Sequence, residues 1–439
     1  MAHAPVFFPS ARRHAVPAVA LGVLTLAAFA RAAEAPRRLT LADALARAEQ
    51  GGFDALAAEA AVRAAEADRE KARRFPNPAF SGAWLHSTSV PVPGGTTSSD
   101  GYTVAGSDQG AIEGLASGKR SLRIGSAEAA LESVRSNRED TLRIVRRETA
   151  RGYYDVLLAE AIARVDAEVA DSYERTLELV DERLRYGAAS RVEHARVEVE
   201  ALEAAQALTA AGADVARARS ALQVLLGDDS LDGVVLDGAL EGPVPEWLAH
   251  ADLPSLRAAA AGRPDVRAAR ADLDRARAAL DLERRERLPD LALSAGYARQ
   301  GPDVAPVTPP TFSLGAAFEL PVFSQRQGEI ARADSERASA AIALARTEAR
   351  AAAEVDAAFA ALTAARERVT RMETVLLDRA REARDLVRYQ YRQGAVSLLD
   401  LFDAERTALQ VELENAQGLY ALRIAVMELE AAVSRSATP

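Results

Sequence analysis

Apolar positions recur at helical spacing over unusually long stretches of this chain and alternate over only a few short ones. Ser126 to Tyr186 and Gly328 to Gln393 contain no proline, and Gly152 is the only glycine between Ala127 and Tyr186. At ~1.5 Å per residue, segments of about 60 to 65 residues make rods of roughly 90–100 Å. Each rod ends at a glycine turn, Gly187 or Gly394, and a returning helix follows over Arg191–Leu226 or Leu398–Val433. Helices this long do not fold inside one compact domain; they imply coiled-coil packing. A shorter helix precedes each rod, over Leu41–Arg74 and Pro264–Arg287. Each stops next to a proline, Pro76 or Pro289, that cannot continue it.

Between short helix and rod lie segments with strand character. Ala79–Val90 and Gly101–Gly106 flank the loop PVPGGTTSSD, while Leu291–Arg299 and Thr311–Leu320 flank GPDVAPVTPP. In the last segment Phe312, Leu314, Ala316 and Phe318 alternate with Ser313, Gly315, Ala317 and Glu319. One apolar face and one small or polar face suits a transmembrane barrel strand. Taken singly, any of these segments reads equally well as a surface hairpin.

The chain is written twice. Tyr186-Gly187-Ala188-Ala189-Ser190 reappears as Gln393-Gly394-Ala395-Val396-Ser397 at an offset of 207 residues. Glu193 with Asp400, Glu198 with Glu405 and Leu202 with Leu409 keep the same spacing. FPNPAFSGAW from Phe75 resembles LPDLALSAGY from Leu288 at an offset of 213. The expected division is a leader over 1–35, a first repeat over 36–230, a linker over 231–252, a second repeat over 253–435 and a tail over 436–439.

The leader reading rests on Arg12 and Arg13, an apolar run of 15 residues from Val16 to Ala30, and Ala33-Glu34-Ala35. This is a secretory signal pattern, too short for a membrane-spanning helix. No later stretch reaches the ~18 consecutive apolar residues of a transmembrane helix. The absence of cysteine excludes disulfides, thiolate metal sites and a lipid-modified N-terminal Cys. The formal net charge of −10, or −12 once residues 1–35 are removed, argues against nucleic acid or anionic lipid as partners. Apolar residues make up 49% but aromatics only 5%, so alanine carries the apolar count, as in long helices at close approach.

Two hairpins per chain give four strands, too few to close a barrel, yet lipid requires every strand edge to be paired. Three copies would supply twelve strands and twelve helical passes. The expected fold is therefore mainly α with a β-barrel portion. Long antiparallel coiled-coil helices form an α-barrel, and four transmembrane strands per protomer form a trimeric 12-stranded barrel.

The order of elements, the duplication and several motifs resemble TolC-like outer membrane factors over essentially the whole mature chain. The motifs are LTLADALARA at Leu39, PNPAFS at Pro76, SGKR at Ser117 and PVFSQRQGEIARA at Pro321. The last is similar to the segment of the CzcC-like and CusC-like heavy-metal efflux subgroup. The resemblance implies a homotrimer in the outer membrane that extends into the periplasm. Its implied partners are a periplasmic adaptor (membrane fusion protein) and an inner-membrane pump of the resistance-nodulation-division type. It implies passive conduction, with no enzyme activity and no cofactor.

YRQGAVSLLDLFDAERTAL, from Tyr391, is similar to the family's periplasmic-tip motif. The two aspartates of that motif match Asp400 and Asp403, whose i, i+3 spacing puts both carboxylates on one helix face. If that face lines a threefold tube, six carboxylates ring its narrowest point and favour cations; an ordinary solvated helix start is the plain alternative. Tyr391 matches the tyrosine of the family's tip network and Glu193 its acidic acceptor. Val396 stands where the best-known members carry a basic residue, so the salt link of that network is expected to be missing. The turns at Gly187 and Gly394, with Arg185 and Arg392 before them, are the expected adaptor-docking tips.

Of the histidines outside the leader, His86, His194 and His250 show no HExxH spacing, and there is no GxSxG or P-loop. No structural metal site and no catalytic constellation are expected. Two other readings remain: a channel for drug efflux or type I secretion, and a non-conducting periplasmic coiled-coil scaffold.

Overall fold

The computed structural model describes residues 37–434, apart from 229, 232, 301–308 and 319–321. The expected leader and tail, the 301–308 loop, the last residues of the expected strand to Leu320 and the first of the PVFSQRQ stretch lie outside the described residues.

A short strand β1 (Arg37–Leu39) leads into helices α1 (Leu41–Gly51) and α2 (Phe53–Arg73). A hairpin of β2 (Ala79–Val92) and β3 (Gly95–Ser107) is followed by the short helix α3 (Ala111–Ala116). The rod α4 (Lys119–Arg185) returns as α5 (Arg191–Leu226). After β4 (Val234–Leu236), the second half repeats the order with α6 (Leu253–Ala260), α7 (Pro264–Arg285), β5 (Leu291–Gln300) and β6 (Thr311–Phe318). Its rod is α8 (Gln327–Arg371), a π-helical turn Met372–Leu376 and α9 (Leu377–Arg392), and α10 (Leu398–Ala432) returns.

Four details depart from the sequence expectation. The helix expected over Leu41–Arg74 is two, broken at Gly52 (φ −63°, ψ 139°). There a Cβ would sit 2.4 Å from the Ala48 carbonyl oxygen and 3.3 Å from that of Leu225, so only glycine lets α1, α2 and the end of α5 nest. The first rod begins at Lys119 rather than Ser126, because Gly118 (φ 75°) makes the break and Gly125 is simply helical. The second rod is interrupted by its π turn. The loop expected over residues 91–100 is mostly strand, tightened to a turn at Pro93-Gly94.

The 231–252 segment is more than a connector. Its strand β4 pairs in parallel with β1, Leu39 facing Leu236 in the register. The Tyr153 hydroxyl donates to the Leu39 carbonyl at 3.1 Å and ties this patch to the middle of α4.

Helices α2, α4, α7 and α8 lie side by side in that order, and α10 packs on both α4 and α8. The main core runs through Leu39, Tyr153, Val156, Leu222, Val266, Val355, Leu362 and Leu429. Arg263, 1% exposed, is held by Asp265 and Glu354 at 2.7 Å each and locks the start of α7 onto α8. The two hairpins form one four-stranded antiparallel sheet, β2-β3-β5-β6, at one end of the helices. The glycine turns lie at the other end.

Candidate functional site: the two-faced sheet and the paired helical tips

Register sorts the sheet residues into two faces. Trp84 opposes Tyr102, Tyr102 opposes Arg299, Val104 opposes Tyr297, and Tyr297 opposes Phe312. Directly opposed residues share a face. One face therefore carries Phe80, Trp84, Tyr102, Val104, Leu293, Tyr297, Phe312, Leu314 and Phe318. The other carries Ser81, Ala83, Thr103, Ala105, Ser294, Gly296, Ser313 and Gly315. On the small face glycine stands against serine: a Cβ on Gly296 would lie 2.7 Å from Ser313 Oγ, and one on Gly315 2.7 Å from Ser294 Oγ, so those hydroxyls would have to turn aside.

The apolar face is open. Leu314 is 92% exposed and Phe80 and Phe312 are 80% exposed. In water such a face would cost roughly 25 cal/mol per Å² of apolar surface, and large exposed apolar patches mark contact surfaces. Among the described residues β2 and β6 each pair on one side only, so both edges of the sheet offer free backbone groups. The alternation seen in sequence for β6 thus extends to all four strands and breaks toward the loop end, where Leu85 falls on the small face and His86, Asp100 and Arg299 on the apolar one.

At the opposite end the two tips are built alike. Gly187 (φ 72°) and Gly394 (φ 74°) supply the left-handed turn that other residues resist. Ser190 and Ser397 then cap the returning helices. The Ser190 hydroxyl accepts from the Glu193 amide at 3.1 Å and the Ser190 amide donates to the Glu193 carboxylate at 2.9 Å. Ser397 and Asp400 repeat the pair at 3.3 and 2.9 Å. The Ser397 hydroxyl, donating to the Asp400 carboxylate at 2.7 Å, and then the Ser397 amide hold that carboxyl below its ordinary value.

A shared core joins the tips: Tyr173, Val180, Val197 and Ala204 of the first repeat meet Tyr391, Leu398, Leu401 and Phe402 of the second. Each fully buried Val, Leu or Phe contributes roughly 1.5–3 kcal/mol there. Burial pushes the Tyr173 phenol up to about 12. Val396 packs onto this core.

The residues picked out by sequence fall into separate groups. Asp400 and Asp403 are both exposed on the face of α10 turned away from Leu398, Leu401 and Phe402. Glu193 spends its carboxylate on its own helix cap. Tyr391 is buried, and the side chain beside it is Arg183, whose guanidinium lies 5.1 Å from the centre of its ring. Burial raises the Tyr391 phenol above its ordinary value, against the nearby Arg183 charge. Arg185 and Arg392 are exposed at the last turns of their helices, and the Arg392 carbonyl accepts from Arg183 at 3.0 Å.

Sequence reading missed the charges that brace the tips. Arg388 holds the buried Glu405 in a two-pronged pair, one contact at 2.7 Å. Arg381 and Arg384 converge on the buried Glu412 at 2.9 and 3.3 Å. In the first repeat His194 bridges Asp181 at 2.7 Å and Glu198 at 3.7 Å instead. The repeat-related positions of Glu198 and Glu405 were the available signal. Among the described residues no group of three or more His, Asp and Glu side chains is gathered to hold a metal ion.

A family model described as outer membrane efflux protein matches residues 44–228 and 255–435, one segment per repeat. The chain belongs to the outer membrane efflux protein family. It is 27% identical over 307 residues to the cobalt-zinc-cadmium resistance protein CzcC of Cupriavidus metallidurans, covering 67% of this chain and 69% of that protein. Crystal structures of CusC (TM-score 0.74, 19% identity) and of the Campylobacter jejuni CmeC outer membrane channel (TM-score 0.75, 17% identity) share the fold. They cover 90% of this chain, and 91% and 85% of their own chains. As a member of this family of efflux channels, the protein sits in the outer membrane and reaches into the periplasm. No described helix is long and apolar enough to cross a membrane.

Proposed function

We propose that three copies of this chain, each folded from the repeats over 36–230 and 253–435, close into a 12-stranded barrel above a helical tube. The tube conducts heavy-metal cations handed over by an inner-membrane resistance-nodulation-division pump through a periplasmic adaptor. The observation that carries this reading is the open sheet, with its apolar outer face, small inner face and two edges without a partner. Lipid tolerates no unpaired strand edge, so the edges must be met by other copies. A periplasmic scaffold has no use for such a face.

The metal cargo is supported by the likeness to CzcC, a cobalt-zinc-cadmium resistance protein. Asp400 and Asp403 fit it chemically: on a threefold axis their exposed carboxylates form two acidic rings that attract cations and repel anions. Tyr391 and Glu193 lie at the tip and govern its opening through the core and cap they belong to. Gly187, Gly394, Arg185 and Arg392 form the outermost surface, where an adaptor docks.

The test is a metal-sensitive Gram-negative strain carrying the chain together with an adaptor and a resistance-nodulation-division pump of a heavy-metal system. Tolerance to cobalt, zinc and cadmium should rise severalfold and fall back when this chain alone is omitted. Tolerance gained only toward organic toxins would move the assignment to drug efflux.

A further inference from the structure

Over the described residues the apolar face of the sheet is shorter than a membrane needs. Its girdle of Trp84, Tyr102, Tyr297 and Phe312 is followed outward by polar groups, Asp100 accepting from Trp84 Nε1 at 3.1 Å and contacting His86 Nδ1 at 2.9 Å. Over the described residues lipid contact runs from Tyr297 to Leu291 on β5 and from Phe312 to Phe318 on β6, six steps of ~3.3 Å, or roughly 15 Å of height once strands tilt by ~40°. An outer-membrane barrel presents an apolar band of ~25 Å. The described strands fall about 10 Å short of that, on the side where the helices begin.

Two matching corners stand at that level. In the second repeat Val322 and Phe323 are exposed, Phe323 to 98%. They precede Arg326, a non-glycine residue in the left-handed region (φ 58°) that opens α8. Arg326 is pinned there by Glu283 at 2.6 Å and Glu286 at 2.8 Å, and Arg287 donates to Gln325 Oε1 at 3.3 Å. In the first repeat Ile112 and Leu115, each 58% exposed, precede Gly118 (φ 75°), which opens α4. Lys119, almost fully buried, fastens that corner to the Leu288 carbonyl at 2.8 Å and Asp290 at 2.6 Å. Leu115 and Gly118 are displaced from Phe323 and Arg326 by the same number of residues. Both corners are held by ion pairs, the second with Arg326 in a strained left-handed conformation, yet both present apolar side chains outward.

We infer that these two corners form an apolar collar that completes the lipid contact. Ile112, Leu115, Val322 and Phe323 enter the headgroup–acyl boundary of the inner leaflet. Arg123, exposed just after the first corner, and Arg287, exposed beside Gln325 of the second, reach the phospholipid phosphates. The occupant is phospholipid because the collar continues the membrane face of the sheet and supplies the height it lacks. Three protomers would place six such corners around the ring. The inference rests on the barrel reading.

A depth measurement by tryptophan fluorescence in phosphatidylcholine–phosphatidylglycerol vesicles tests it. Phe323→Trp is placed in a Trp84→Phe, Trp247→Phe background and quenched with lipids labelled at shallow or deep acyl positions, and with aqueous acrylamide. The Trp247→Phe protein, reporting Trp84 alone, is the control. The collar requires severalfold stronger quenching of the Phe323→Trp protein by shallow-labelled lipid than by acrylamide. Quenching by acrylamide alone would place the corner in the lumen or in water, and protection from both quenchers would place it under a second copy. Either result overturns the collar. Lipid quenching of Trp84 keeps the barrel standing in those cases, and its absence would instead remove the barrel itself. A Leu115→Ser, Phe323→Ser double variant should lower insertion into the same vesicles severalfold, and unchanged insertion counts against the collar.

Discussion

Arg183 and Tyr391 tie the two repeats together at the tip. The guanidinium of Arg183 donates to the Tyr391 carbonyl at 3.2 Å and to the Arg392 carbonyl at 3.0 Å, while lying over the Tyr391 ring. One side chain of α4 thereby binds two carbonyls at the end of α9, where a cation is also favoured by the helix dipole. In the proposed tube, parting of the two hairpins at this end would have to break this contact.

Replacing Arg183 with Met keeps much of the aliphatic packing and removes both hydrogen bonds. Single-channel conductance in planar bilayers should rise, and more than in Tyr391→Phe, which retains the ring and the carbonyl. Equal conductance in Arg183→Met and the parent would demote the contact to simple packing.

The acidic pair can be separated by substitution. Asp403→Asn removes a charge from the exposed face of α10 without touching the helix cap. Asp400→Asn also disturbs the bonds from Ser397. Both should reduce cation preference and block by divalent ions, measured as reversal potential under a salt gradient. Only the second should increase amide exchange at the start of α10. Undiminished selectivity in the double variant would reject the acidic ring.

The cap makes a pH prediction. The carboxyl pKa of Asp400 is lowered in the folded chain by its bonds to Ser397. A depressed pKa contributes stability above the unfolded value of ~3.9, lost as pH falls through the folded value. Amide exchange at the first turn of α10 should therefore accelerate below about pH 4. Ser397→Ala should flatten that dependence, and an unaltered acid response would refute the cap's role.

Glu405 is buried and held by Arg388, so removing one partner leaves an uncompensated charge. Arg388→Met should destabilise the tip by about 3–5 kcal/mol, read as faster proteolysis near Gly394. Adding Glu405→Gln should recover a large part of that loss. Failure of the double variant to recover would mean that geometry, not charge, carries the contact.

Much of this architecture was legible because long-range order follows from local chemistry. The bounds of α5 could be read from Ser190 before it and Gly227 after it, and the two tips from their repeated glycines. The sheet's two faces were visible in one strand, β6, where alternation is cleanest. What could not be read depends on contacts between distant segments. Gly51-Gly52 reads as a tolerable pair inside a helix until the end of α5 arrives beside it. The pairing of β1 with β4 joins segments nearly two hundred residues apart, each only three residues long. Asp400 and Glu193 were read as channel and gate residues, and their capping duty emerges only from the turn geometry. Arg183 looked like one of many arginines on a long rod, since nothing local marks which one meets the other hairpin.

The central claim is that separate copies meet each other's strand edges and enclose a lumen. Native mass spectrometry of the detergent-solubilised protein, paired with electron microscopy of the same sample, tests it most directly. The account predicts a trimer with a continuous central cavity through sheet and helices. A monomer, or an assembly without a lumen, would contradict it.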